Sequence, residues 1–251
     1  MSALAIGMYF LVNMFAATVA VVAGLNFTNF QPVDGFSAED FWLNVGNALG
    51  ILAAFTACFG VWHRTVQIRP VRQIEPLSLV PMAILSASMA MGLNGAISLV
   101  ELYKYSPAFQ EVAKLQTETP LWLGIVSFGI LAPLGEELVF RGLVYGILKK
   151  AFPVSVSILF SGLLFGLFHG NLVQGVYATL LGWIFAWAYE LYGTIIVPMV
   201  MHSIANLFVY LLLDCTEFGA VFVTPIPCIF MLAVGAISLV LVVRWQKSAE
   251  V

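Results

Sequence analysis

Six side chains in this chain are polar or charged where their neighbours are not. Glu136, Glu137 and Arg141 sit within Leu-Ala-Pro-Leu-Gly-Glu-Glu-Leu-Val-Phe-Arg-Gly (131–142). His169 ends the apolar run Phe165-Gly166-Leu167-Phe168-His169, and His202 and Asn206 fall four residues apart in another. Arg141 follows Glu137 by four residues, so on a helix the two stack on one face and can pair. Glu136 then points about 100° away around the helix, free to face a cavity. His202 and Asn206 share a face by the same spacing.

A carboxylate beside a neutral imidazole can deprotonate and orient a water molecule. A His–Asn pair supplies hydrogen-bond donors for the oxyanion that forms when such a water attacks an amide carbonyl. The set therefore suits peptide hydrolysis without a covalent intermediate. It also suits a zinc site, since Glu and His are zinc ligands. The helical His-Glu-x-x-His motif is absent, however, and the ligands would have to come from three helices.

The elements that must position these groups are membrane spans. Of the 251 residues 61% are hydrophobic and only 9% charged, against about 25% charged in a soluble domain. So few charges cannot build a water-facing surface, and the predicted solvent is lipid. The net charge of −3 gives no electrostatic footprint for nucleic acid. Cys58, Cys215 and Cys228 are far apart in apolar surroundings and read as membrane hydrophobes rather than a disulfide framework.

A spanning helix needs about 20 apolar residues. On that rule eight segments are expected: 3–25, 41–62, 77–100, 121–148, 154–169, 173–190, 194–213 and 220–243. The run 3–25 lacks a basic leader and is read as the first span rather than a signal peptide. The fold class is thus all-α, a polytopic transmembrane bundle of about eight helices with its site buried in the membrane. No repeat or linker divides it, and it is treated as one membrane domain.

Arg64, Arg69, Arg72, Lys149, Lys150, Arg244 and Lys247 fall at the same end of alternating spans. The positive-inside rule then places both termini in the cytoplasm of a multi-pass cell-membrane protein. Lys104 and Lys114, with Glu101, Glu111 and Glu118, fall in an outer loop, as do Asp34, Glu39 and Asp40. Asp214 and Glu217 are expected in another outer loop. Trp183, Trp187, Tyr189 and Tyr192 look like an interfacial belt.

Gly162, Gly166 and Gly170 form a small-residue ridge for close helix approach, and Pro133 is placed to kink its helix and open carbonyls near the site. Asn171 and Gln174 suit either a groove lining or a polar turn, and Glu190 the cap of a span.

Glu136-Glu137-x-x-x-Arg141, Phe165-x-x-x-His169 and His202-x-x-x-Asn206, in that order and all within hydrophobic segments, resemble the signature of the CPBP (Abi) family. These are the CAAX-protease and bacteriocin-processing intramembrane endopeptidases. The resemblance covers about residues 119–213, leaving 1–118 as N-terminal helices and 214–251 as a last span and cytoplasmic tail. It implies that Glu136 is the general base on water, assisted by His169. It implies that Glu137 and Arg141 balance charge, and that His202 and Asn206 form the oxyanion hole.

The substrate it implies is a membrane-associated peptide or protein, of CAAX-type or bacteriocin-leader kind. No metal is required on this reading, although family members are often labelled metalloproteases and zinc is the alternative. Oligomeric state is left open. A non-catalytic bacteriocin-immunity or partner-binding protein, whose polar cluster only fixes helix register, is the rival reading. A proton-coupled transporter ranks lower, because no inverted repeat is recognisable.

Overall fold

The computed structural model describes residues 2–28, 37–65, 76–214 and 219–249. Asp34, Arg69, Arg72, Cys215 and Glu217 lie outside them. Among the described residues every regular element is helical. The long helices are α1 (Ser2–Phe27), α2 (Ala38–Thr65), α3 (Leu79–Leu99), α4 (Pro107–Glu118), α5 (Leu121–Leu148), α6 (Val154–Phe168), α7 (Leu172–Tyr192), α8 (Ile196–Val209) and α9 (Pro225–Ala249). Six of these, α1, α2, α3, α5, α7 and α9, are long and apolar enough to cross a membrane. The apolar helices α6 and α8 are shorter, at 15 and 14 residues.

Phe10, Phe15, Leu167, Ile226 and Ile229 are among many large apolar side chains on the outside. A coat of that kind suits lipid rather than water. The chain is a multi-pass membrane protein.

Lipid tails are as apolar as Leu, so helices in a bilayer associate by close packing rather than by burying oil. Small residues make this possible at two seams. A Cβ on Gly162 would stand 2.2 Å from the Trp183 ring, and one on Gly166 would stand 2.0 Å from Thr179 Oγ1 and 2.4 Å from the Gly175 carbonyl. The ridge thus joins α6 to α7. Gly170 is no part of it: it has φ of +68° and open space around it, because it makes the turn between the two helices. A second seam, Gly46 and Gly50 of α2, lies against Ala17, Val21 and Asn13 of α1.

Cross-links show which helix ends share a side. Asn44 and Thr119 bond at the starts of α2 and α5, and the Tyr210 hydroxyl reaches the Thr119 carbonyl from the end of α8. At the opposite side the Tyr192 hydroxyl meets Ser78, and Lys149 pairs with Glu190. Glu190, expected to cap a span, instead holds that lysine and accepts from the Tyr145 hydroxyl at 2.6 Å.

Two expectations are corrected by burial. Tyr189 and Tyr192 belong to the protein interior rather than to a lipid-facing belt. Trp183 is half-buried over Gly162 and donates to the Leu159 carbonyl at 3.1 Å, and Trp187 packs on the α3–α8–α9 core. The segment 100–120, expected as an outer loop, holds the three-turn helix α4. Phe109, Val112, Ala113 and Gln116 are its inward side, a spacing of three and four that marks an amphipathic helix. Cys58 and Cys228 are buried and unbridged.

Candidate active site

The site is built on α5, which is not a uniform α-helix. Two wide π-helical stretches, Ile125–Leu131 and Leu138–Tyr145, flank the α-helical turn Ala132–Glu137 that carries the glutamates. Such insertions are frequent at functional sites.

The first has an identifiable local logic. The Ala132 N–H bonds the Ser127 carbonyl, five residues back. One residue on, the same register would pair Pro133 with Phe128, and proline has no N–H. The orphaned Phe128 carbonyl accepts instead from Asn206 Nδ2 at 2.9 Å. Pro133 does free a carbonyl, as expected, but Asn206 of α8 takes it up. One of the two Asn206 amide hydrogens is thereby committed to holding α8 on α5.

Glu137 and Arg141 are both wholly buried, with Nη1 2.9 Å from Oε1. Arg141 Nη2 donates to the Gly182 carbonyl at 2.9 Å, and the guanidinium lies over the Phe165 ring at 4.5 Å. A Cβ on Gly182 would be 3.0 Å from Nη2, so the glycine makes room for the arginine as well as bonding it. Glu137 Oε1 also meets His202 Nδ1 at 2.8 Å. That imidazole is stacked on Phe185, 5.0 Å between centroids. Its other nitrogen, Nε2, lies 3.7 Å from Glu136 Oε2. Glu137 is thus the hub: it holds Arg141 on one side and orients His202 on the other.

Glu136 is the exposed member of the pair, with 14% of its side chain accessible. It lines a cavity of about 470 Å³ together with His169, His202 and Asn206. The short α6 and α8 bring them to one cavity. Glu137 and Arg141 lie behind its wall.

His169 Nδ1 sits 2.9 Å from the Phe165 carbonyl. A carbonyl can only accept, so Nδ1 carries a proton and Nε2 is the nitrogen left for other partners. The histidine within ion-pair distance of Glu136 is His202, not His169, the expected assistant.

Several cavity residues escaped the sequence reading. Tyr9 and Asn13 of α1, Asn47 of α2, Asn94 of α3 and Gln116 of α4 all line it. Each is neutral and matches no catalytic motif, a weak signal without knowledge of which helices meet. Gln174 lines the cavity too, while Asn171 caps α7 by accepting from the Gln174 N–H at 2.9 Å.

Zinc sites take at least three protein ligands. Among the described residues no three His, Cys, Asp or Glu side chains are grouped to hold an ion.

Residues 118–208 match the family described as type II CAAX prenyl endopeptidase Rce1-like. Over these residues the chain is similar to that family. The matched residues hold all six groups described above. Over 218 residues, 81% of this chain and 85% of the relative, the chain is 25% identical to a Bacillus subtilis (strain 168) protein named "Putative membrane peptidase YdiL". No solved structure matches the chain.

Proposed function

We propose that the chain is a membrane endopeptidase that hydrolyses a peptide bond of a membrane-associated substrate with a water activated by Glu136. The observation that carries this reading is the division of labour between adjacent carboxylates. Glu137 is spent on Arg141 and His202, whereas Glu136 faces a cavity beside two imidazoles. A base must reach its water, and only Glu136 of the pair has access.

Glu136 takes a proton as the water oxygen bonds to the scissile carbonyl carbon. His169 Nε2 accepts the second hydrogen of that water and fixes its lone pair toward the carbon. The free amide hydrogen of Asn206, with His202 Nε2 when it carries a proton, donates to the developing oxyanion. The carbon–nitrogen bond then breaks as Glu136 returns its proton to the leaving amine. Water is consumed, and one carboxylic acid and one amine are formed. No step runs through a metal.

The test is direct. The purified protein in lipid vesicles is incubated with peptides anchored by a hydrophobic segment, and the products are read by mass spectrometry. A cut at one peptide bond, giving a free acid and a free amine, is expected. Peptides left intact by a folded protein would favour the immunity or partner-binding reading instead.

A further inference from the structure

The cavity is not symmetric across the membrane. On α5 its lining residues are Phe128, Ala132 and Glu136, which run from the first half of that helix to its middle. Beyond Glu136 the way is closed, since Leu138, Val139, Phe140, Leu143, Val144 and Tyr145 are each no more than 1% exposed. The cavity reaches instead to His169 at the end of α6, to Gln174 at the start of α7 and to the inward side of α4.

The basic residues stand at the other end. Arg64 ends α2, Lys149 and Lys150 follow α5, and Arg244 is near the end of α9. In the sequence Arg69 and Arg72 fall in the connection after α2. At the cavity end Lys104 is paired with Glu101 at 2.6 Å and Lys114 with Glu118 at 3.7 Å. Glu39, Asp40 and Glu111 add further negative charge there. A lysine–arginine excess marks the cytoplasmic side.

We infer that the cavity is entered from the extracytoplasmic face, so that its substrate is a peptide segment displayed in the outer half of the membrane rather than a cytoplasmic C-terminus. The substrate clause rests on the hydrolase reading; the sidedness does not. Phe10 and Met14 of α1 both line the cavity and stand 51% exposed on the lipid side, which gives an anchored chain a lateral approach. Among the described residues no Lys, Arg or Asp lines it. Its polar groups toward the mouth, Asn13, Asn47, Gln116 and Gln174, are carboxamides that both donate and accept. They suit the backbone of an extended, uncharged stretch.

The experiment has two arms. In the first, Gln110→Cys on the exposed side of α4 and Lys150→Cys at the basic end are each placed in a chain whose three native cysteines are replaced by alanine. Intact cells are treated with a membrane-impermeant maleimide. Labelling of position 110 before lysis, and of position 150 only after it, is expected; the reverse overturns the inference. Should the cysteine-free chain fail to accumulate, a fluorescent protein fused after Val251 of the natural chain replaces it. Cytoplasmic fluorescence supports the assignment, and its absence from a fusion that reaches the membrane overturns it.

In the second arm two anchored reporter peptides carry the same uncharged target, one displayed outward and one inward. Cleavage of the outward reporter alone is expected. Cleavage of the inward one overturns the inference. No cleavage of either, with outward labelling of position 110, counts against the hydrolase reading and its substrate clause while the sidedness stands.

Discussion

Arg141 is among the largest side chains buried completely in the described residues, and what it touches explains how a charge is tolerated there. Its attachments are a carboxylate oxygen, a backbone carbonyl and an aromatic face. Removing one partner of a buried ion pair leaves the other uncompensated, at a cost of about 3–5 kcal/mol. Arg141→Met should therefore lower the unfolding midpoint in detergent sharply. Adding Glu137→Gln should restore part of the loss, and strict additivity of the two changes would show that they are not coupled. The pair itself was legible from an i, i+4 spacing inside an apolar run. The Gly182 carbonyl, the Phe165 face and the His202 contact were not, because they come from α6, α7 and α8, whose approach no local pattern records.

At the scale of elements, α5 and α8 are joined by an exchange between a proline and an asparagine. Asn206→Ala leaves the Phe128 carbonyl without its donor, a loss of about 1–3 kcal/mol for a buried polar group. Pro133→Ala restores an N–H in the register that reaches that carbonyl. The double variant should thus be more stable than Asn206→Ala alone when compared by thermal unfolding. If Pro133→Ala instead destabilises the Asn206→Ala protein further, the orphaned carbonyl is not what Asn206 serves.

The α6–α7 seam makes a second prediction. Gly166→Ala forces a Cβ against the Thr179 hydroxyl and the Gly175 backbone, an overpacking of about 1–3 kcal/mol. Gly170→Ala, by contrast, meets open space and is strained only by its positive φ. The larger drop in unfolding midpoint should belong to position 166. The ridge could be read from glycine spacing, although Gly170 sits on the same period for a different reason. Helix α4 was harder to read: its charges resemble those of a loop, although Phe109, Val112 and Ala113 carry a helical spacing that could have marked it.

Across the whole molecule, the membrane setting follows from composition because no arrangement of so few charges can wet a 251-residue surface. Eight apolar segments were legible, yet two of them form helices shorter than a bilayer needs. His169 and His202, on those two elements, line the same cavity as Glu136. The cavity, its closure beyond Glu136 and its polar wall depend on tertiary packing, so they could not be read along the chain.

The central claim is that Glu136, alone of the two adjacent glutamates, does the chemistry. Its most direct test is the rate at which purified Glu136→Gln protein cuts an anchored peptide, with its unfolding midpoint matched against the natural protein. Loss of general-base catalysis predicts a fall of about 10²–10⁴-fold with the fold intact. A rate equal to that of the natural protein would contradict the account.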